Sequence, residues 1–297
     1  PLCVIECKRP DLKDPMGQAI SQQIGNQKDD EIPKLFMYSQ LLLVLSKNDA
    51  RYGTTGTSPN YWSVWKEETN IEKVVSGLVN KPLPDEVKDR IFVEHLKYAR
   101  PYFEKLEASG REVSNQDTAV YALCRPERLL EIMFRFVLYD AGEKKIARYQ
   151  QYFCVKKIME RIRRKEQNGN RQGGVVWHTQ GSGKSLTMVM LAKAIALEPS
   201  ISDHKIVLVT DRVDLDDQLY NTFRACGTEP ENAKTGVNLV ELLKSEKSRI
   251  IATTIFKFEA GVSKKAQSLD SSDIFVLVDE SHRTNYGETH SKMRKVL

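Results

Sequence analysis

Residues 181–185, Gly-Ser-Gly-Lys-Ser, have the composition and order of a loop that binds phosphate groups. Glycines let backbone N–H groups turn toward phosphate oxygens at positions where a side chain would collide. Lys184 would place a positive charge on the β- and γ-phosphates, and the Ser185 hydroxyl could bind Mg²⁺. The sequence therefore predicts an ATP and Mg²⁺ site whose nucleotide-binding residues are Gly181, Ser182, Gly183, Lys184 and Ser185.

One residue departs from the usual phosphate-loop pattern, which has a glycine where this chain has His178. Helicase-type loops often lack that glycine, so the departure still fits a loop of that kind. The alternative is a glycine-rich turn between a strand and a helix that binds nothing.

Two carboxylates, Asp279 and Glu280, directly follow the apolar run Ile274–Val278. A carboxylate at the end of a buried strand can hold the coordination shell of Mg²⁺, which is the role predicted for Asp279. Its neighbour Glu280 could orient and deprotonate the attacking water. An isolated Asp-Glu pair is more often a solvated turn, but the phosphate loop upstream favours the catalytic interpretation.

A third polar group, Arg148 and Gln151, lies about one helical element before the phosphate loop. A glutamine amide both donates and accepts hydrogen bonds, which suits the Hoogsteen edge of adenine. The alternative is simply the polar start of a helix. We predict that Arg148 and Gln151 bind the nucleotide.

Near the N-terminus, Glu6 and Lys8 stand two positions apart in a predicted strand at residues 2–8. Side chains alternate between the faces of a strand, so these two would project from the same side. A carboxylate and an ammonium there could bind Mg²⁺ and activate the water that attacks a phosphodiester. A Glu-x-Lys triplet is common by chance, and a surface ion pair is the alternative.

Four apolar segments in the C-terminal half predict buried strands that alternate with helices. They lie at residues 175–177, 206–209, 250–252 and 274–278. Continuously apolar strands of this kind are typical of a parallel sheet covered on both faces, with functional loops at the carboxyl ends of its strands. Upstream, the pattern predicts a helix at 16–26 and helical periodicity through 126–139.

The chain divides into three predicted parts. Residues 1–75 form one α/β unit. Residues 76–146 form a helical connector, with a break marked by Pro82 and Pro84. Residues 147–297 form the nucleotide-binding α/β lobe with a parallel sheet.

Composition excludes a membrane-spanning or disordered chain. Hydrophobic residues make up 40% and charged residues 29% of the sequence, and no apolar run approaches the roughly 18–20 residues that span a bilayer. The five cysteines form no CxxC pair and no cluster with zinc spacing, which predicts reduced thiols in a cytoplasmic protein. A net charge of +5 is compatible with nucleic acid without being diagnostic.

Four motifs occur in a specific order along the C-terminal half. They are HTQGSGKS at 178–185, VTDRVDLDDQL at 209–219, TTIFKF at 253–258 and DESHR at 279–283. They resemble motifs I, Ia, Ib and II of superfamily 2 helicases, and in particular the restriction subunit of type I restriction–modification enzymes. The resemblance implies a RecA-like first motor lobe over 147–297. It also matches Gln151, in ARYQQYF at 147–153, with the glutamine that contacts adenine.

The same resemblance implies that residues 1–75 are the C-terminal part of a PD-(D/E)xK nuclease domain. Glu6 and Lys8 would be its catalytic pair, with Glu6 also a metal ligand, and the first Asp of the core is expected before Pro1. Gln23 matches the catalytic-site glutamine of the family's Q-x-x-x-Y signature, although Gln27 stands where tyrosine is expected.

By resemblance, the whole protein is expected to be an ATP-driven double-stranded DNA translocase joined to an Mg²⁺-dependent endonuclease. It would work with methyltransferase and DNA-specificity subunits, and this chain would be a fragment without the second motor lobe. Two alternatives stay open: a superfamily 2 helicase or remodelling motor without nuclease activity, and a nucleotide-switched DNA-binding module without catalysis.

Overall fold

The computed structural model describes residues 1–167, 169, 171–179, 181–201, 204–210, 213–245, 249–257, 260 and 273–279, with only the backbone of 213–218. The chain forms two compact units that meet in sequence between Phe134 and Arg135. The three-part division predicted at residues 75 and 146 stays a prediction.

The first unit is built on a three-stranded sheet with a buried central strand. β1 (Cys3–Cys7) runs parallel to β2 (Leu41–Ser46), and β2 runs antiparallel to β3 (Asp49–Gly53). All residues of β2 are buried because helices pack against the sheet on both faces. β1 confirms the strand predicted at 2–8.

Helix α1 (Pro15–Gly25) covers one face of this sheet. It begins after Asp14, whose carboxylate accepts a hydrogen bond from the Gly17 N–H at 2.9 Å, and proline suits the first helical turn. Its buried residues repeat with helical spacing at Met16, Ala19, Ile20 and Gln23. This helix confirms the one predicted at 16–26.

Six more α-helices follow in the described part of this region, and one of them covers the face of the sheet opposite α1. In chain order they are α2 (Pro33–Phe36), α3 (Glu72–Val79), α4 (Asp85–Ile91), α5 (Arg100–Ser109), α6 (Asn115–Cys124) and α7 (Pro126–Arg135). α6 packs against β2 and β3, and its buried residues are Ala119, Ala122 and Leu123. The sheet is therefore enclosed between α1 and α6.

The segment after α7 departs from the prediction. Helical periodicity is predicted through 126–139, yet the helix ends at Arg135 and β4 (Val137–Asp140) follows. β4 pairs antiparallel with β5 (Glu143–Ile146). The helical connector predicted for 76–146 is therefore wrong over its last part.

The turn of this hairpin explains the difference. Ala141 and Gly142 have φ values of 50° and 86°, the left-handed region that two-residue hairpin turns need and that a right-handed helix excludes. Apolar residues over so short a run fit either a helical or a strand period. Gly142, which adopts a positive φ at no steric cost, was the better signal.

The second unit contains a parallel sheet. Its strands are β6 (Lys205–Thr210), β7 (Glu231–Asn232), β8 (Ile250–Thr254) and β9 (Ile274–Val278). Within the described residues their order is β7-β8-β6-β9, and every neighbouring pair is parallel. The sheet confirms the parallel arrangement and the strands predicted at 206–209, 250–252 and 274–278.

Helices of the second unit supply the other half of its core. They are α8 (Tyr149–Arg163), α9 (Lys184–Ala196), α10 (Val213–Ala225) and α11 (Gly236–Lys244). Val207, Val209 and Ile251 of the sheet are buried in one cluster with Leu239 and Leu243 of α11. No helix among the residues with described positions is long and apolar enough to cross a membrane.

The strand predicted at 175–177 is wrong. The described backbone from 172 to 179 is neither strand nor helix, and Val175 and Trp177 are 86% and 88% exposed. A strand needs a neighbour to bond its N–H and C=O groups, and no part of the chain that the structure describes forms a ladder with this segment. Apolar sequence alone does not show whether such a neighbour is present.

Candidate functional site

The phosphate loop lies immediately before α9, which begins at Lys184. Gly181 and Gly183 have φ values of +73° and +82°, the left-handed region that glycine adopts most readily. A Cβ at Gly181 would meet nothing within 4 Å, so the backbone conformation there, not lack of space, favours glycine. The loop thus leads into the N-terminus of a helix, where backbone N–H groups bind phosphate.

Gln151, predicted to contact adenine, lies against this loop. Its Nε2 donates to the Gly183 carbonyl oxygen at 3.1 Å, and its Oε1 accepts from the Arg148 N–H at 2.9 Å. The residue is buried, whereas Arg148 is exposed. The structure therefore brings Gln151 to the loop with its amide bonded to backbone at both ends, and its contact with adenine stays a prediction.

Three donors converge on the Gly183 carbonyl oxygen. Besides Gln151, the N–H and the hydroxyl of Thr187 donate to it, each at 3.0 Å. These bonds join α8 and α9 at one peptide group and hold the peptide that leads into Lys184. Sequence reasoning missed Thr187, although a hydroxyl one helical turn after the loop was the available signal.

We expect Gly183→Ala to destabilise the chain more than Gly181→Ala. Both changes put a Cβ on backbone with a positive φ, which costs about 1–2 kcal/mol. A Cβ at Gly183 would also lie 2.8 Å from Gln151 Nε2. Urea unfolding of both variants measures the difference in the free energy of unfolding.

The same two changes in a Gln151→Ala background are the control. Without the amide, the two alanine variants should lose equal stability. A difference that persists in this background would show that Gln151 is not its cause.

The second predicted carboxylate site follows β9. Asp279 comes directly after that strand, and its N–H donates to the Val209 carbonyl oxygen at 2.9 Å. This bond continues the ladder between β9 and β6, so Asp279 lies at the carboxyl end of the sheet, where α/β proteins bind ligands. Glu280, the predicted base, lies outside the described residues.

Two oxygen ligands of the second unit have the chemistry to bind a Mg²⁺ ion that arrives with a nucleotide. No group of three or more His, Cys, Asp or Glu among the described positions is arranged to hold a metal ion by itself. Nucleotide-bound Mg²⁺ needs only one or two protein oxygens, because water and phosphate complete its octahedron. The Ser185 hydroxyl, in the first turn of α9, and the Asp279 carboxylate are oxygens of this kind.

In the first unit, Glu6 and Lys8 form an ion pair with 2.9 Å between Lys8 Nζ and Glu6 Oε1. Both side chains lie on the same side of the strand, as predicted. By alternation they continue the row of Val4, which packs into the core beneath α1. With side chains 20% (Lys8) and 22% (Glu6) exposed, the pair is more shielded than an ordinary surface ion pair.

A glutamine of α1 reaches this pair, but it is Gln22. Lys8 Nζ donates to Gln22 Oε1. Gln23 is 1% exposed, with its Nε2 3.4 Å from the carbonyl oxygens of Val4 and Leu43. The catalytic role of Gln23 stays a prediction. Sequence reasoning missed Gln22, although helical spacing was the available signal: Gln23 continues the buried stripe of α1 and Gln22 does not.

Two families of known proteins match this chain over separate regions. Residues 1–61 match the family described as type I restriction enzyme R protein N terminus. Residues 150–297 match the SWI2/SNF2 ATPase family. The first region holds the Glu6–Lys8 pair, and the second holds the phosphate loop.

Individual relatives match all or nearly all of the chain. The putative type I restriction enzyme MjaIXP endonuclease subunit of Methanocaldococcus jannaschii is 30% identical over 100% of this chain and 27% of its own length. The type I restriction enzyme HindI endonuclease subunit of Haemophilus influenzae is 31% identical over 97% of this chain and 25% of its own length. This chain therefore spans about a quarter of the length of these relatives.

Proposed function

This chain belongs to the family of type I restriction enzyme R subunits. We therefore propose that it is part of a protein that uses ATP to translocate double-stranded DNA and uses Mg²⁺ to cut that DNA. The observation that carries the proposal is the presence in one chain of a phosphate loop before α9 and of the Glu6–Lys8 pair in the other compact unit. Translocation would bring the nuclease to sites distant from the recognition sequence.

The motor half of the proposal rests on the loop and on the parallel sheet of the same unit. Backbone N–H groups at Gly181 and Gly183 and the Lys184 ammonium would bind the β- and γ-phosphates, and Ser182 would complete the loop around them. Gln151 and Arg148 would bind the nucleotide, with the Gln151 amide at the adenine. Ser185 and Asp279 would hold Mg²⁺, which neutralises the charge that develops on the phosphates. Glu280 is proposed as the group that deprotonates the attacking water.

The nuclease half of the proposal rests on the shielded ion pair. Mg²⁺, when bound, polarises a phosphodiester and lowers the pKa of a coordinated water. Glu6 would hold that ion through its carboxylate, as in a PD-(D/E)xK core. Lys8 would place its ammonium where negative charge develops on the phosphate. The Gln22 side chain, which accepts a hydrogen bond from Lys8, would restrict the position of that ammonium.

The partners of this protein are also a proposal. We propose that it acts with methyltransferase and DNA-specificity subunits, which would locate the target sequence. The relatives are named as endonuclease subunits, a name that fits a component of a larger enzyme. A cytoplasmic location is proposed from the scattered, unpaired cysteines together with the DNA substrate.

A motor without nuclease activity is the second candidate. It is favoured by one observation, that the SWI2/SNF2 ATPase match covers residues 150–297 and leaves out the region of Glu6. A cleavage assay of the full-length subunit with its partner subunits separates the two functions, comparing ATP with a non-hydrolysable analogue. The nuclease proposal expects cutting that requires ATP hydrolysis, whereas the motor alone would hydrolyse ATP and leave DNA intact.

We expect Asp279→Ala and Glu280→Gln to fail in different ways. The first removes a proposed Mg²⁺ ligand, so it should weaken nucleotide binding only when Mg²⁺ is present. The second removes only the proposed base, so it should preserve binding and slow turnover by about 10²–10⁴-fold in the full-length subunit. Titrations with and without Mg²⁺, together with ATPase rates, measure both effects. Equal loss of binding in both variants would assign the carboxylates a structural role.

A further inference from the structure

His178 occupies the position where the usual phosphate-loop pattern has a glycine. Its imidazole lies against the phosphate loop. His178 Nδ1 lies 3.1 Å from Ser182 Oγ, and the Ser182 N–H donates to the Thr179 carbonyl oxygen at 3.3 Å. The His178 side chain therefore contacts Ser182, a residue of the phosphate loop, from three positions before Gly181.

The charge around His178 favours the neutral imidazole. Burial lowers its pKa, and the nearby Lys184 ammonium lowers it further. A neutral ring carries one N–H and one lone pair, so Nδ1 can bond the serine hydroxyl in either tautomer. The ring thus forms a neutral hydrogen bond and adds no second positive charge beside Lys184 at neutral pH.

The loop is consequently held at two adjacent residues by two different side chains. Gln151 of α8 bonds the Gly183 carbonyl oxygen at 3.1 Å, and His178 bonds the Ser182 side chain. Together they restrict the residues whose N–H groups lead into α9, and a loop ordered before binding loses less conformational entropy when a ligand arrives.

We propose that His178 is a positioning residue for the nucleotide site, which acts through Ser182 to hold the phosphate loop in its binding conformation. The inference rests on the proposed ATP site and extends it. At the position where the usual loop has a flexible glycine, His178 would instead hold the loop by a specific side-chain bond. His178 need not touch the phosphates for this effect.

The test compares Mg²⁺-dependent binding of a fluorescent ATP analogue by the chain and by His178→Ala, Ser182→Ala and the double variant. A neutral hydrogen bond of ordinary strength corresponds to about 2- to 10-fold in affinity. Each single variant should therefore bind the analogue about 2- to 10-fold more weakly. The double variant should bind it no more weakly than the single variant with the lower affinity. His178→Asn keeps a polar atom near the position of Nδ1 and should restore most of the lost affinity.

Lys184→Ala separates this inference from the proposed ATP site. If Lys184→Ala weakens binding but His178→Ala does not, the positioning role is overturned and the ATP site stands. If His178→Ala and Ser182→Ala have additive effects, or if His178→Asn restores nothing, the bond between them is not the cause and the inference is again overturned. If Lys184→Ala leaves binding unchanged, both proposals fail. If circular dichroism shows that His178→Ala is unfolded, the nucleotide affinities of His178→Asn and Ser182→Ala are compared instead.

Discussion

Lys184→Ala binds Mg²⁺-ATP about 10- to 150-fold more weakly than the unchanged chain, if the loop before α9 is the nucleotide site. The range follows from the roughly 1.5–3 kcal/mol contributed by a hydrogen bond to a charged group. Lys184 opens α9 directly after Gly183, so its ammonium and the helix N-terminus act on the same anion. Titration of the chain with a fluorescent ATP analogue measures the loss.

Lys234→Ala is the matched control, because it removes an exposed lysine from the same unit. It should leave affinity unchanged, which shows that the loss is specific to the loop and not to net charge. Thermal unfolding of both variants should resemble that of the unchanged chain, since removing a partly exposed ammonium leaves the core intact. Equal ATP affinity for Lys184→Ala and the unchanged chain would contradict the assignment of the phosphate loop.

Glu6→Ala and Lys8→Ala each abolish DNA cutting by the full-length subunit and spare its DNA-stimulated ATP hydrolysis. Loss of one group that stabilises charge in the transition state lowers the rate about 10²–10³-fold. Glu6 and Lys8 belong to the unit that ends at Phe134, whereas the phosphate loop belongs to the unit that begins at Arg135. Two sites built from separate compact units should fail independently.

An exposed ion pair beside β1 provides the control for this experiment. Arg9 Nε and Asp11 Oδ1 are 3.3 Å apart, and the two side chains are 76% and 64% exposed. Such a pair contributes about 0–1 kcal/mol to stability. Arg9→Ala should therefore retain both activities. Cutting that continues in Glu6→Ala and Lys8→Ala would assign that pair the same surface role, and a simultaneous loss of ATP hydrolysis would indicate misfolding.

Local sequence patterns determined most of the elements that position the candidate sites. Alternation along 2–8 placed Glu6 and Lys8 on one side of β1, and their ion pair shows that they are neighbours. Continuous apolar runs predicted β6, β8 and β9 correctly, because strands covered on both faces carry little polar sequence. The glycines of 181–185 predicted the break before α9, where both take positive φ values.

The sequence pattern was insufficient where the conformation or contacts of a residue depended on partners distant in sequence. The apolar residues 175–177 have strand composition but no ladder among the described residues, so they are exposed. Gln22 and Gln23 are chemically identical neighbours. Helical spacing places Gln23 in the buried stripe of α1, and the packing of α1 on its sheet brings Gln22 to Lys8. Composition specifies what a residue is able to bond, and not which partner it will meet.

The sequence by itself determined the chemistry available to this protein: a phosphate loop, a carboxylate after an apolar strand, and a Glu-x-Lys pair. These depend on spacing over a few residues, which local geometry controls. Only the tertiary structure decided that Gln151, 32 residues before Gly183, bonds its carbonyl oxygen. Such contacts form because the packing of whole elements brings distant polar groups together and buried groups require hydrogen-bond partners.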